Sequence, residues 1–390
     1  MESDRTWKIW RTYGWRATLL IGTEFFLTFS FFMFVPYISL YVTGELGYSL
    51  SFAGLLLALR LTGQQGFMMF GGYLGDKFGY KTMMFIGFVC RGVGFAGIGF
   101  AQSPALLLFM AVIGGLGGAL FSPALKTLLI YKQPKAHHKK LFSYVNITGN
   151  AGTILGPLFG VLFSAQQFPL LSLLSGLLFI LIGCTLLGLP IQQETANSDI
   201  SFLSGLKRIV ANQPLLMMIG LMIPYHFIHQ QLFLTYPVVA TKISGSSGWI
   251  FTLVTVIVIT TQMKVTAWTY RFTARQSLQA GYLILGTTFL PLLAFEHVVT
   301  LTVSLIGIAL SVTLMQPTFH SYIVSQASSQ TLGIFLGFSN LAMAVGGALG
   351  NITGGSLYEW FETNRLSSFY WAILALLSFI AYLTAKTQKH

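Results

Sequence analysis

Glu24 is the one carboxylate that stands well inside an apolar run; the other nine acids lie in tails, connections or run ends. Burial and a nearby arginine pull such a carboxyl in opposite directions. A carboxyl held between them can load and release a proton, so Glu24 is the candidate proton carrier. The bland alternative is that it sits shallow and reaches the aqueous face. Arg60 lies near the middle of its own run and cannot snorkel easily. It needs Glu24, a backbone carbonyl or an anionic substrate as a partner, and a plain structural ion pair competes with a binding role.

A third group is Tyr225-His226-x-x-His229-Gln230-Gln231, followed by Tyr236-Pro237. Residues three apart share a helix face, and histidine titrates near neutrality. Both histidines could meet protons, water or substrate, or simply pack. Two histidines without a third ligand make a weak metal site, so no metal is expected. Tyr37, Gln316 and His320 are further cavity candidates. Arg91 reads as structural, and Lys126 and Lys264 as residues that snorkel to the nearer face. Paired carboxylates, a His/Cys/Asp cluster and a phosphate-binding Gly-Lys-Ser/Thr loop are all missing from the sequence. Neither an enzyme nor an ATP-driven pump is expected, and no cofactor. Cys90 and Cys184 fall inside apolar runs and offer no disulfide framework.

These residues must be positioned by elements suited to lipid. Of the 390 residues, 54% are hydrophobic and 8% charged, and the mean hydropathy is +0.72. A soluble domain carries about 25% charged residues. Spanning a bilayer takes about 20 apolar residues. Twelve runs qualify: 17–42, 50–72, 83–101, 105–131, 143–164, 168–190, 214–240, 248–268, 278–295, 298–322, 331–357 and 367–385. The expectation is an all-α integral membrane protein of twelve transmembrane helices. Its N-terminal six-helix bundle covers 1–190, a cytosolic linker with a surface helix 191–213, and a C-terminal six-helix bundle 214–390. Within the linker Ile200, Leu203, Leu206 and Val210 recur at helical spacing. The first sixteen residues lack the pattern of a removed signal peptide.

Basic residues set the orientation. With the N-terminus inside, sixteen Lys and Arg fall in cytosolic segments, and only Lys242 and Arg365 on the other side. Both termini are therefore expected in the cytosol. The same bias accounts for the net charge of +12, so it is not a nucleic-acid signal.

A shift of 194 residues aligns the two halves in three separated places. Leu120 to Lys126 falls on Leu314 to His320; Gly152, Gly156 and Gly160 fall on Gly346, Gly350 and Gly354; Asp76 to Lys81 falls on Tyr270 to Arg275. Pro36 and Pro237 need an offset of 201. The halves share one orientation, so the repeat is parallel, about an axis along the membrane normal.

Between runs two and three, Gly72-x-x-x-Asp76-Lys77-x-Gly79-x-Lys81 reads as a tight, basic turn. It resembles motif A of the major facilitator superfamily, and the likeness to that superfamily covers the whole chain. In the family this motif is a cytosolic gate, with the acid near a helix N-terminus of the other half, where the dipole favours an anion. A merely topogenic loop is the alternative. Gly152-x-x-x-Gly156-Pro157-x-x-Gly160 is similar to motif C of the drug:proton antiporter branch, and ordinary glycine packing is its alternative. The family's motif B arginine has no counterpart here: Gly115-x-Gly117 is present, but Ala111 stands in the arginine's place. Arg60-x-x-x-Gln64-Gln65-Gly66 resembles the MdtH type of multidrug exporters.

The resemblance implies the major facilitator fold and a proton-coupled exporter of small amphipathic molecules, working as a monomer by alternating access. Its expected partners are the substrate, protons and the lipid bilayer, with no nucleic acid, in the cell membrane. The basic excess at midspan positions leaves open an exporter of an anionic metabolite such as a carboxylate siderophore. A non-transporting receptor or scaffold would be expected to carry a soluble signalling domain or long loops.

Overall fold

The computed structural model describes residues 6–130, 135–163, 165–188, 202–269, 271–326 and 332–387. Among these, every regular element is helical, as it must be where lipid offers no partner for backbone polar groups. In chain order come α1 (Thr6–Phe34), α2 (Ile38–Leu40), α3 (Leu50–Gln65), α4 (Met68–Phe78), α5 (Tyr80–Phe100), α6 (Pro104–Ile130), α7 (Lys135–Gly160) and α8 (Phe168–Leu187). Then follow α9 (Phe202–Ala211), α10 (Gln213–Gln230), α11 (Thr235–Ser244), α12 (Gly248–Thr269), α13 (Ala274–Phe289), α14 (Val298–Gln326), α15 (Leu332–Thr363) and α16 (Ser367–Thr387).

Among the described residues, eight helical stretches are long and apolar enough to cross a membrane: 14–45, 80–100, 104–129, 168–187, 248–269, 298–326, 335–363 and 367–386. They fall on eight of the expected runs. The other four runs are helical but interrupted or polar at one end. Run 50–72 breaks at Gly66 and Phe67 into α3 and α4, and run 214–240 breaks at 231–234 into α10 and α11. Run 278–295 is α13 followed by a 3-10 turn over Leu290–Leu293, and run 143–164 falls in α7 as far as Gly160, with α7 beginning among lysines. In the linker, α9 buries Ile209 and exposes Lys207 and Arg208; Val210, expected on its apolar face, is exposed. The part of the linker up to residue 201 lies outside the described residues.

The chain forms two compact units, one of 1–35 and 66–197, the other of 36–65 and 198–390. In the first, α1 lies along α7, and α5 packs between α6 and α8. In the second, α15 packs between α3 and α10, and α13 between α14 and α16. Glycines make the closest crossings. A Cβ on Gly152 of α7 would stand 2.5 Å from the Phe25 carbonyl oxygen, and one on Gly156 2.9 Å from that of Phe29. In the second unit a Cβ on Gly346 would stand 2.2 Å from the Ile223 carbonyl oxygen, and one on Gly350 2.5 Å from that of Phe227. The glycines aligned by the 194 shift thus pack closely on successive turns of α1 in one unit and of α10 in the other.

Candidate functional site

In the first unit Glu24 stands on α1 and faces α7. A Cβ on Gly149 would lie 3.4 Å from Glu24 Cγ and 3.7 Å from Oε1. One turn on, Thr28 turns its hydroxyl back to the Glu24 carbonyl at 2.8 Å and takes the space opposite Gly152. The charge acting on the Glu24 carboxyl is the ammonium of Lys126 on α6. Lys126 is exposed, which fits a side chain that reaches for water.

The motif C residues Gly152, Gly156, Pro157 and Gly160 all lie in α7, with Gly160 its last residue. The first two are where α1 comes closest. Motif A was expected as a loop, but α4 continues through it to Phe78 and only Gly79 separates α4 from α5. Gly79 has φ 92° and ψ 132°, a conformation open to glycine alone. One such residue suffices to reverse the chain. Gly71 lets α4 touch α6, for its Cβ would lie 2.0 Å from the Ala119 carbonyl oxygen. Gly72 has nothing nearer than 4.0 Å. Lys77 is exposed over the Phe78 ring, and Lys81 is half-buried. The backbone of Asp76 belongs to α4; its side chain, and Tyr270 in the matching turn, lie outside the described residues.

Arg91 is buried at 2% exposure. Its guanidinium donates to the Gly114 carbonyl of α6 at 3.2 Å. It also lies 4.6 Å from the Phe95 ring, 5.2 Å from Phe31, 5.6 Å from Phe179 and 5.8 Å from Phe121. A box of ring faces solvates this cation through their quadrupoles. Its structural role comes from three other helices, α1, α6 and α8.

The second unit gathers most of the predicted cavity residues. On α10, Tyr225 stacks on His229 at 5.7 Å between ring centroids and meets His226 edge-on at 5.1 Å. The ring sequence continues through Phe233 and Phe251 to Tyr37. Gln316 of α14 lies near the Tyr225 hydroxyl, and His320 acts on His226. The Tyr225 hydroxyl makes no hydrogen bond of normal geometry, and neither does Nδ1 of His226 or of His229. All three atoms are buried. Arg60, on α3, is buried at 3% exposure. Beside it Leu61 and the side chain of Gln230 meet over Gly347 of α15.

Two features here escaped the sequence reading. Pro224 lies inside α10, where it removes a ladder donor. The buried Tyr282 hydroxyl from α13 then enters the ladder: it donates to the Leu221 carbonyl and accepts from the Tyr225 amide at 3.2 Å. The second is Gln231, at the break between α10 and α11. Its amide donates to the Phe227 and Gly350 carbonyls at 3.0 and 2.8 Å, and its oxygen accepts from Thr235 and Tyr370 at 3.0 and 2.8 Å. The spacing of Gln231 and Thr235, four apart, was the available signal. Among the described residues no group of three or more His, Cys, Asp or Glu is placed to hold a metal ion.

A family model described as Major Facilitator Superfamily matches residues 20–247. The chain is 28% identical over 377 residues to multidrug resistance protein MdtH of Salmonella typhi, covering 95% of this chain and 93% of that protein. The MdtH of Salmonella typhimurium is 27% identical over the same length and coverage. Among solved structures, the peptide transporter POT with sulfate superposes at TM-score 0.74 with 18% identity, covering 98% of each chain. A variant of the nucleoside transporter NupG superposes at 0.80 with 14% identity, covering 94% of this chain and 99% of that one. These two likenesses concern the fold.

Proposed function

The chain belongs to the major facilitator superfamily, as a multi-pass transporter of the cell membrane similar to MdtH, and from this premise we propose that it exports small amphipathic molecules in exchange for protons. The chain crosses the membrane twelve times in two six-helix bundles, with both termini in the cytosol. It works as a monomer by alternating access about a midplane site. Glu24 carries the proton, and the motif A turn, with Gly72, Asp76, Lys77, Gly79 and Lys81, gates the cytosolic side.

The observation that carries the reading is the α10 face. Nδ1 of His226 and Nδ1 of His229 are buried with no hydrogen bond, beside the Tyr225 ring, which stacks on His229 and meets His226 edge-on. Buried polar atoms are almost always satisfied. Unmet ones among aromatic rings suit a ligand that brings its own polar atoms and flat apolar surface. The test is dye efflux from proteoliposomes under an imposed pH gradient. Wild type exports, Glu24→Gln does not, and a Glu24→Gln protein that remains fully coupled overturns the assignment.

The anion reading keeps one observation in its favour. The described acids of the second unit, Glu45, Glu296, Glu359 and Glu362, all stand at helix ends or in connections, whereas Arg60 and the histidines stand within. Arg60→Ala separates the readings: loss of anionic-dye transport alone supports an anionic substrate, and loss of cationic-dye transport alone sinks it.

A further inference from the structure

Two rings of the second unit are half-buried while the rings behind them are fully buried. His229 stands on the last turn of α10, and Phe233 in the break that follows it. Tyr225, 1% exposed, stacks on His229 with the ring planes 27° apart; Phe251, 3% exposed, stacks on Phe233 with the planes 26° apart. Where the two stacks meet, His229 and Phe233 lie 5.8 Å apart at 63°. Each half-buried ring is thus backed by a buried one, and the two platforms form a corner.

The corner faces away from the outer stripe of α10. That stripe exposes Met217 and Gly220. His229 follows Gly220 by about two and a half turns, which puts it on the opposite side of the helix.

The break is what aims Phe233. The amides of Leu232, Phe233 and Leu234 donate to the carbonyls of His229, Gln230 and Gln231, three residues back, at 3.2, 3.0 and 3.2 Å. This winding is tighter than an α-helix and rotates Phe233 out of the register that α10 would give it. The buried hydroxyl of Ser39 on α2 then donates to the Phe233 carbonyl at 3.2 Å. Gln231 ties the same turn to the Gly350 carbonyl of α15 and the Tyr370 hydroxyl of α16. A ring held this firmly has little freedom left to lose when a ligand settles on it.

A phenyl ring carries no charge and no polar atom. What it adds beyond apolar area is the quadrupole, which rewards a second flat ring stacked or edge-on and gives nothing extra to a puckered aliphatic one. We propose that Phe233 is the specificity-determining residue of the export site: the substrate's aromatic ring sits in the corner between Phe233 and His229, and flat rings are chosen over aliphatic rings of the same size. The proposal rests on the export reading above. Its test reads binding without a pH gradient, so the ring preference can fail while that reading stands.

The test titrates full-length protein calorimetrically with naphthol and with decahydronaphthol, which share a skeleton and a hydroxyl and differ in flatness. Each Kd is referred to that of wild type, so partition into detergent cancels. Phe233→Leu should raise the Kd of naphthol about fivefold, the scale of one ring pair, and leave decahydronaphthol within about twofold. Phe233→Met, which also keeps apolar bulk without a ring, carries the test if the leucine variant folds poorly by size exclusion. Phe233→Tyr should restore naphthol binding to within about twofold of wild type. Equal weakening of both compounds makes Phe233 a packing residue and overturns the proposal. So does an unchanged naphthol Kd, a tyrosine variant that fails to rescue, or wild type that exports dye yet binds neither compound.

Discussion

Glu24 faces Gly149 across the α1–α7 contact, with its carboxyl at ordinary van der Waals distance from where a Cβ would sit. Gly149→Ala therefore fits and should keep proton-driven efflux near wild type. Gly149→Ile drives a branched side chain into the carboxyl and should lower coupled efflux at least tenfold while the protein still inserts. Equal activity in both variants would remove Glu24 from the coupling path.

Glycines on α7 and α4 predict a graded stability series. A Cβ on Gly152 would stand 2.1 Å from the Thr28 hydroxyl oxygen, whereas one on Gly72 meets nothing nearer than 4.0 Å. Overpacking of this kind costs about 1–3 kcal/mol. Gly152→Ala should lower the melting temperature in detergent clearly, and Gly72→Ala hardly at all. If Gly72→Ala nevertheless stops transport, its role is in gating and not in packing.

At the turn, Gly79→Ala forces a side chain onto a backbone with φ 92°, a strain of about 1–3 kcal/mol. A loss of folded yield is expected. Asp76→Asn should insert and fold normally yet switch slowly. The measurement is the rate at which a cysteine in the cytosolic half of the cavity becomes labelled; an unchanged rate and unchanged efflux would leave Asp76 a topogenic residue.

Tyr282→Phe removes the hydroxyl that joins the Leu221 carbonyl to the Tyr225 amide. Two buried backbone groups lose their partner, at about 1–3 kcal/mol, and Tyr225 and His226 lose their support. The expected result is a lower melting temperature together with weaker dye binding by fluorescence titration. Unchanged binding would mean that α10 keeps its shape through its neighbours alone.

Lys242 and Glu362 form an ion pair at 2.7 Å with half-exposed side chains. The hydrogen bond that Lys242 donates to Glu362, ahead of the carboxylate's charge, holds the Lys242 ammonium above the usual lysine range. A raised lysine contributes stability that is complete below its unfolded pKa and fades as pH climbs through the folded one. Exposure limits the contribution to at most about 1 kcal/mol. Lys242→Met should thus cost little at pH 7 and nothing once the pH has passed the raised lysine pKa, as read by thermal unfolding across pH.

The helical membrane class was legible in the sequence because apolar length and charge bias are properties of single segments. So was the repeat: the spacing of Gly152 and Gly156 returns at Gly346 and Gly350, and the structure sets the first pair against α1 and the second against α10. The helix breaks were harder. The four-residue spacing of Gln231 and Thr235 signals a local contact but not a stop, for the Gln231 side chain finds an acceptor on α15 and a donor on α16 that only tertiary packing supplies. The turn at Gly79 was visible as glycine and charge, yet its length depends on α4 continuing through the motif. For the site, residue types on α10 were readable, but the Tyr282 hydroxyl that supports them arrives from sixty residues downstream.

Arg91 sets a condition on biosynthesis. Its box takes walls from Phe31, Phe121 and Phe179, which leave the ribosome far apart in time. Until residue 179 emerges, the box around the Arg91 guanidinium lacks its Phe179 wall, and a guanidinium at the centre of an isolated helix costs about 2.5–3.5 kcal/mol. The helix most in need of company, α5, is therefore made before the helices α6 and α8 that complete its box. Stable residence of α5 in the bilayer should coincide with the emergence of α8, so nascent chains halted just before it should still slip α5 toward water.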